Sequence, residues 1–249
     1  MEQRPNQSKL VFLLFDYFPF GGLQRDCLAV AQLCASRGHD VTIFTRTWRG
    51  EKPAGIKIEL FGRHGITNIT RNRHWLRQLE TAVPAGGFDC VVGFNKLPGL
   101  DVYYGADPCF VAKARQNKSW WYRQMPRYRH YAKLEAIVFA RGLPTQLLML
   151  TDRDRAQYQE FHGTESERFH LLPPNATRRV FGAQQQLTAC QKIRSQSGWP
   201  ADTQLVLFVG SDFNRKGLER ALKAFASLPR GDSPKQFAVI GDRPPGRFA

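Results

Sequence analysis

Residues 9–45 read KLVFLLFDYFPFGGLQRDCLAVAQLCASRGHDVTIFT, and this stretch sets the architecture of the chain. The apolar run 10–15 has strand length and no alternation, as expected of a parallel strand covered on both faces. Residues 16–20 break the run, and Gly21-Gly22 opens a helix. On that helix Leu23, Cys27, Val30, Ala31 and Cys34 share one stripe at helical spacing, so that face is buried. Gly38 is placed as a C-terminal stop, and residues 40–45 supply the next strand. A crossover of this length between two buried strands is a right-handed βαβ unit.

The chemistry of this unit lies in its turn. Gly21 and Gly22 carry no Cβ, so the backbone there can come close to a ligand and can take positive φ. The amides of the first helical turn point past the carboxyl end of the strand, and the helix dipole favours an anion there. A plain tight turn would use the same residues. The turn is not GxGxxG, and GxxxxGK[ST] occurs nowhere, so neither the dinucleotide fingerprint nor a P-loop is present.

Outward from this unit, strands are expected over 57–61, 88–95, 102–106, 146–151 and 169–172, with helices over 68–83 and from the end of the 146–151 strand to about 161. Alternation of this kind predicts an α/β fold with a doubly wound parallel sheet. Residues 175–186 are polar and non-periodic and read as a linker. A helix over 187–197, a strand over 205–210, a helix over 218–228 and a strand over 237–241 begin a second sheet. The organisation expected is therefore a domain over 1–174, a linker over 175–186 and a second domain over 187–249. Two strands and their helices leave most of their apolar surface without a partner, so the second domain reads as incomplete.

A length of 249 residues with 42% hydrophobic content is enough for a real core. Lys and Arg number 36 against 21 Asp and Glu, a net charge of +15 that favours polyanionic partners: nucleic acid, an anionic membrane surface or a phosphorylated substrate. The five cysteines are scattered with no CxxC pair, which fits a reduced, cytosolic protein. The N-terminus is polar, and six apolar residues before Asp16 are too few for a signal peptide or a span, so any membrane contact would be peripheral. The six histidines show no metal-ligand spacing.

Six blocks, YFPFGGLQRD (17–26), VVGFNKLPGLDVYYGAD (91–107), RYRHYAKLE (127–135), LMLTD (148–152), LLPP (171–174) and VGSDFNRKG (209–217), occur in an order that resembles the lipopolysaccharide core glucosyltransferase I family. The resemblance runs from about residue 10 almost to the last residue. It implies a GT-B fold: a complete N-terminal Rossmann-like domain and the beginning of a second one. It also implies transfer of glucose from the donor substrate UDP-glucose to an inner-core heptose with retention, with no cofactor and no metal. Sugar transfer requires the departing diphosphate's charge to be stabilised. By resemblance that role falls to Arg215 and Lys216, with Gly21 and Gly22 facing them. Asp107 matches the family's carboxylate at the reaction centre, although a turn Asp before Pro108 would look the same. Asp26 matches an acceptor-side Asp, and it is expected on the exposed side of its helix.

Residues 111–133 hold seven Lys or Arg, no acid, two Trp and three Tyr. Such interleaving suits an anionic lipid interface, and equally suits nucleic acid. With a glycolipid acceptor the membrane is the better reading and nucleic acid the lesser one. Lys113, Arg115, Lys118, Trp120, Trp121, Tyr122, Arg123, Arg127 and Arg129 are the residues expected to meet the cytoplasmic face of the inner membrane. Asp152-Arg153-Asp154 is a DxD of the metal-holding kind, but Asp152 stands where a helix N-cap belongs, and the pattern is discounted as a metal site. The family's Glu-x7-Glu pair has no counterpart before residue 249, so the chain is expected to be shortened in its donor domain and weakly active or inactive alone. A non-catalytic basic module that binds membrane or nucleic acid is the alternative.

Overall fold

The structure is a computed structural model that describes residues 7–172, 181–210, 213–229, 231 and 233–241, except for the side chains of Asn117 and Arg215. It divides into two compact units, Met1–Asn175 and Ala176–Ala249.

The first unit runs β1 (Lys9–Tyr17), α1 (Gly22–Ser36), β2 (Asp40–Trp48), β3 (Lys57–Leu60), α2 (Asn68–Gly86), β4 (Cys90–Gly93), β5 (Val102–Gly105), α3 (Phe110–Asn117), a 3-10 turn (Trp120–Gln124), α4 (Pro126–Phe139), β6 (Gln146–Met149), α5 (Asp152–His162), a second 3-10 turn (Ser166–Arg168) and β7 (Phe169–Leu171). All seven strands are parallel, in the order β3-β2-β1-β4-β5-β6-β7. Leu10 pairs with Val41 on one side and Cys90 on the other, so β1 is the centre of the sheet.

Because side chains on a strand alternate, the unbroken apolar run of β1 serves both faces. Phe12 and Leu14 join Cys27 and Ala31 of α1 and Val41 and Ile43 of β2 in one core. Val11 and Leu13 join Trp75 and Leu79 of α2, Val138 and Phe139 of α4 and Tyr158 of α5 in the other. The stripe expected on α1 is the face that packs: Cys27 and Ala31 are fully buried, with Leu23, Val30 and Cys34 half-buried against the same core. Gly38 follows the helix at φ +93°, a conformation that favours glycine, and its amide bonds the Ala35 carbonyl at 3.0 Å.

Sequence reasoning placed no helix between residues 106 and 146, where α3 and α4 stand. On α4 the buried positions are Leu134, Glu135, Val138 and Phe139. A buried acid in the middle of the apolar face lowers the helical periodicity that the reading relied on.

The second unit holds α6 (Ala183–Gln196), β8 (Gln204–Val209), α7 (Phe213–Lys216), α8 (Leu218–Ala226) and β9 (Lys235–Ile240), with β8 and β9 paired in parallel. Of the stretch read as linker, residues 175–180 lie outside the described residues and 183–186 are helical.

Candidate active site

In an open parallel sheet, the strand whose neighbours lead off in opposite directions leaves a crevice at its carboxyl end. Here that strand is β1, flanked by β2 and β4. The segments leaving β1, β4 and β5 converge there on a cleft of ≈ 230 Å³ that includes Phe15, Asn95, Lys96, Asp107, Phe110 and Tyr131 in its lining. Asn95 fastens two of these segments together, its Oδ1 accepting the Phe15 amide at 2.7 Å. Asp107 is exposed at the rim, and its backbone carbonyl accepts the Tyr158 hydroxyl at 3.0 Å.

The end of β1 is braced from the side. Asp16 binds Arg46 at 2.5 Å and Arg63 at 3.0 Å and accepts the Thr47 hydroxyl at 2.9 Å. Burial would raise its pKa, but the Arg63 and Arg46 bonds outweigh that and hold the carboxyl below its usual value. Gln24 of α1 reaches back to the Asp16 carbonyl at 3.1 Å, tying the helix to the strand it follows.

Gly21 is the N-cap of α1 at φ −85°, and neither Gly21 nor Gly22 uses the positive φ open to glycine. A Cβ at Gly21 would lie 1.9 Å from Gln24 Oε1 and 2.7 Å from the Phe18 ring, so those side chains would have to shift. At Gly22 nothing lies within 4 Å of where a Cβ would sit. The first turn of α1 has no side-chain cap and no acid, so its amides face outward with the positive end of the helix dipole.

Asp26 is not on the exposed side of α1. It is half-buried and accepts the Tyr104 hydroxyl at 2.8 Å. Tyr104 is the second-last residue of β5, three residues before Asp107. Burial and then the bond to Asp26 push the Tyr104 phenol well up, which keeps it a donor.

Under the cleft lies a cluster that sequence reasoning missed. Glu135 is fully buried on α4. Its carboxylate accepts the Phe110 amide at 2.7 Å and the Val111 amide at 3.0 Å, both from the first turn of α3. It also meets Lys96 Nζ at 2.5 Å, His162 Nε2 at 3.0 Å and the Cys109 thiol at 3.4 Å. Burial would raise the carboxyl's pKa, but the His162 bond, the Lys96 charge and the Val111 amide outweigh it and hold it at about 2. Burial and the neighbouring carboxylate push the Cys109 thiol up to about 12. Cys109, Glu135 and His162 offer ligand atoms within 4.8 Å of one another, but the Lys96 ammonium already supplies the countercharge. These residues are scattered in sequence, so spacing gave no hint. One signal was available: a lone acid inside the apolar run LEAIVFA (134–140).

The DxD lies in the first turn of α5, but the cap is Thr151, one residue before the expected Asp152. Thr151 Oγ1 accepts the Asp154 amide at 3.2 Å and donates to the Asp154 carboxylate at 2.7 Å.

Residues 111–133 form α3, the 3-10 turn and the start of α4. Lys113, Arg115, Lys118, Arg123, Arg127 and Arg129 are exposed, and Trp120 and Trp121 are 72% and 51% exposed. Tyr122 instead is half-buried, edge-on to Tyr128, while Tyr128 and Tyr131 pack on Phe110. No helix among the described residues is long and apolar enough to cross a membrane.

On the second unit, Arg215 and Lys216 fall in α7, a single turn after β8, and Gly217 at φ +82° separates it from α8. Lys216 is exposed at its tip, and its stem passes over Gly210, whose Cβ would lie 3.3 Å from Lys216 Cγ.

A parallel sheet wound on both faces, with a second parallel α/β unit after it and a cleft at the switch strand, defines a GT-B-type glycosyltransferase fold. The chain belongs to the lipopolysaccharide core glucosyltransferase I family. It is 38% identical over 246 residues to the lipopolysaccharide glucosyltransferase WaaG of Escherichia coli (strain K12), covering 94% of this chain and 66% of that protein. The crystal structure of WaaG, a glycosyltransferase involved in lipopolysaccharide biosynthesis, superposes with a TM-score of 0.88 at 40% identity, covering 96% of this chain and 65% of that one. A glycosyltransferase from Rickettsia africae shares the fold at 9% identity, with a TM-score of 0.52 over 96% of this chain and 69% of that one. The chain thus spans just under two thirds of the length of WaaG. No protein-family model matches it.

Proposed function

We propose that this chain serves lipopolysaccharide core assembly by transferring glucose from UDP-glucose to an inner-core heptose with retention. The observation that carries this reading is the cleft at the carboxyl end of the switch strand, with Asp107 at its rim and aromatic rings in its walls. Phe15, Phe110 and Tyr131 offer apolar faces to sugar C–H groups, while Asp107 and Asn95 offer oxygens to sugar hydroxyls.

Asp107 is assigned to the reacting sugar and Asp26, oriented by Tyr104, to the acceptor side. The uncapped first turn of α1 at Gly21 and Gly22 is assigned to the donor diphosphate, for which its outward amides and dipole are suited. Arg215 and Lys216 are assigned to donor-diphosphate binding on the strength of the family motif. These groups would carry the leaving group's negative charge without a metal. The exposed cations and indoles of 111–133 are assigned to the anionic cytoplasmic leaflet, which would make the protein peripheral there.

The test is titration with UDP-glucose and with UDP, followed by turnover on a heptose-terminated core acceptor. Saturable donor binding with turnover supports the assignment, and Asp107→Asn is expected to lower kcat by about a hundredfold or more. Absence of donor binding under conditions where the chain is folded would refute it.

A further inference from the structure

Asp107 lies on a short turn between the end of β5 and the start of α3, and Glu135 touches nearly everything that fixes that turn. Phe110 and Val111, which close the turn, give their amides to its carboxylate. Lys96, at 2.5 Å from the same carboxylate, lies 3.4 Å from the Pro108 carbonyl, the next one along from Asp107. Tyr158, whose hydroxyl holds the Asp107 carbonyl, stacks face to face on Phe139 of α4 at 3.6 Å between ring centroids. Lys96 itself leaves β4 beside Asn95, which anchors β1. One buried charge thus joins the segments that leave β4 and β5 to α4 and α5.

We propose that Glu135 and Lys96 are a positioning pair for Asp107: the buried ion pair sets where the Asp107 turn stands relative to the cleft, and the fully buried Glu135 carboxylate does not touch substrate. This rests on the sugar-transfer reading for its kinetic arm, but not for its structural one. A buried ion pair is weak evidence for stability, since apolar residues of similar volume often serve as well. What it supplies here is direction, because five donors around one carboxylate allow the turn a single arrangement. An error of about an ångström in a reacting group costs on the order of a hundredfold in rate.

The test uses the full chain and four variants: Glu135→Gln, Lys96→Met, Lys96→Arg and the double variant Lys96→Met with Glu135→Gln. Amide hydrogen exchange is read at Ala106, Asp107 and Cys109, which Glu135 does not bond through their backbone. Turnover is read with UDP-glucose and a heptose-terminated core acceptor. The expected result is faster exchange at those amides in Glu135→Gln and Lys96→Met. Alongside it kcat falls by about a hundredfold while KM for UDP-glucose stays within about twofold. Lys96→Arg is expected to restore both within about tenfold. The double variant, which removes the unpaired charge, recovers melting temperature but not kcat.

If Glu135→Gln does not fold, Lys96→Met alone carries the comparison, since Lys96 reaches the cleft wall. Unchanged exchange in folded single variants overturns the proposal. So does a double variant whose kcat returns together with its melting temperature, which would make the pair a stability element only. A melting temperature raised by zinc and lowered again by a chelator would overturn it as well, assigning Cys109, Glu135 and His162 to a metal. If the unaltered chain binds no donor and turns nothing over, the sugar-transfer reading falls, and the exchange data alone decide whether the pair positions the turn.

Discussion

Glu135 carries a full charge out of reach of water, and that has a measurable consequence for stability. Its carboxyl, ordinarily near 4.5, is held at about 2 in the folded chain. A depressed carboxylate contributes stability that is complete above the unfolded value and disappears as pH falls through the folded one. Urea unfolding between pH 6 and pH 2 should therefore show a loss of about 3 kcal/mol attributable to this group, and Glu135→Gln should flatten that slope. At pH 7 the same variant leaves Lys96 buried without its partner and should cost about 3–5 kcal/mol. Tyr104→Phe tests the Asp26 carboxylate. Loss of its bond to Asp26 should cost about 1 kcal/mol of stability, readable in the same denaturant assay, and raise KM for the acceptor more than for the donor.

At the scale of elements, much was legible where one physical signal dominated. The apolar run of β1, the stripe on α1 and the Gly38 stop are each dictated by local chemistry, and the structure uses them in those roles. The location of the Gly21-Gly22 turn was legible; which backbone conformation its glycines use was not, because the sequence permits both signs of φ there. Asp26 was misplaced because its fate depends on Tyr104, 78 residues away. Helix α4 escaped because Glu135 occupies an apolar position, and its partners Lys96, Cys109 and His162 come from three other segments. The 3-10 turn between α3 and α4 offers an element-level test. Trp120 and Trp121 stand exposed among exposed cations, with Arg115 over the Phe161 ring and Lys118 over the Tyr122 ring. Co-sedimentation with anionic liposomes should fall about tenfold when both indoles become Ala, and several-fold for each cation removed, since each contributes about 1 kcal/mol near such a surface. Binding that ignores the anionic lipid fraction would reject this surface.

At the scale of the whole molecule, the two units differ in how well they close. The first has cores on both faces of seven strands. In the second, Leu207, Val209 and Ile240 remain 52%, 64% and 57% exposed on a two-stranded sheet. Residues 1–175 produced alone should accordingly unfold in one cooperative transition, with the near-UV circular dichroism of their aromatic core retained, whereas residues 176–249 alone should show no cooperative melt. Disruption of the first unit should follow from Trp75→Ala, which empties a fully buried site and should cost about 3–5 kcal/mol in denaturant unfolding.

The central place of β1 also orders the birth of the protein. Its first partner, β2, follows within one crossover, but its second, β4, is joined to it by contacts such as Lys9 to Asp89, 80 residues apart. A nascent chain leaving the ribosome can thus form β1, α1, β2 and β3 early, while one flank of its innermost strand stays bare until β4 is made. During that interval the unbroken apolar run of β1 has an open hydrogen-bonding edge, and it is there that a folding chaperone would be most needed.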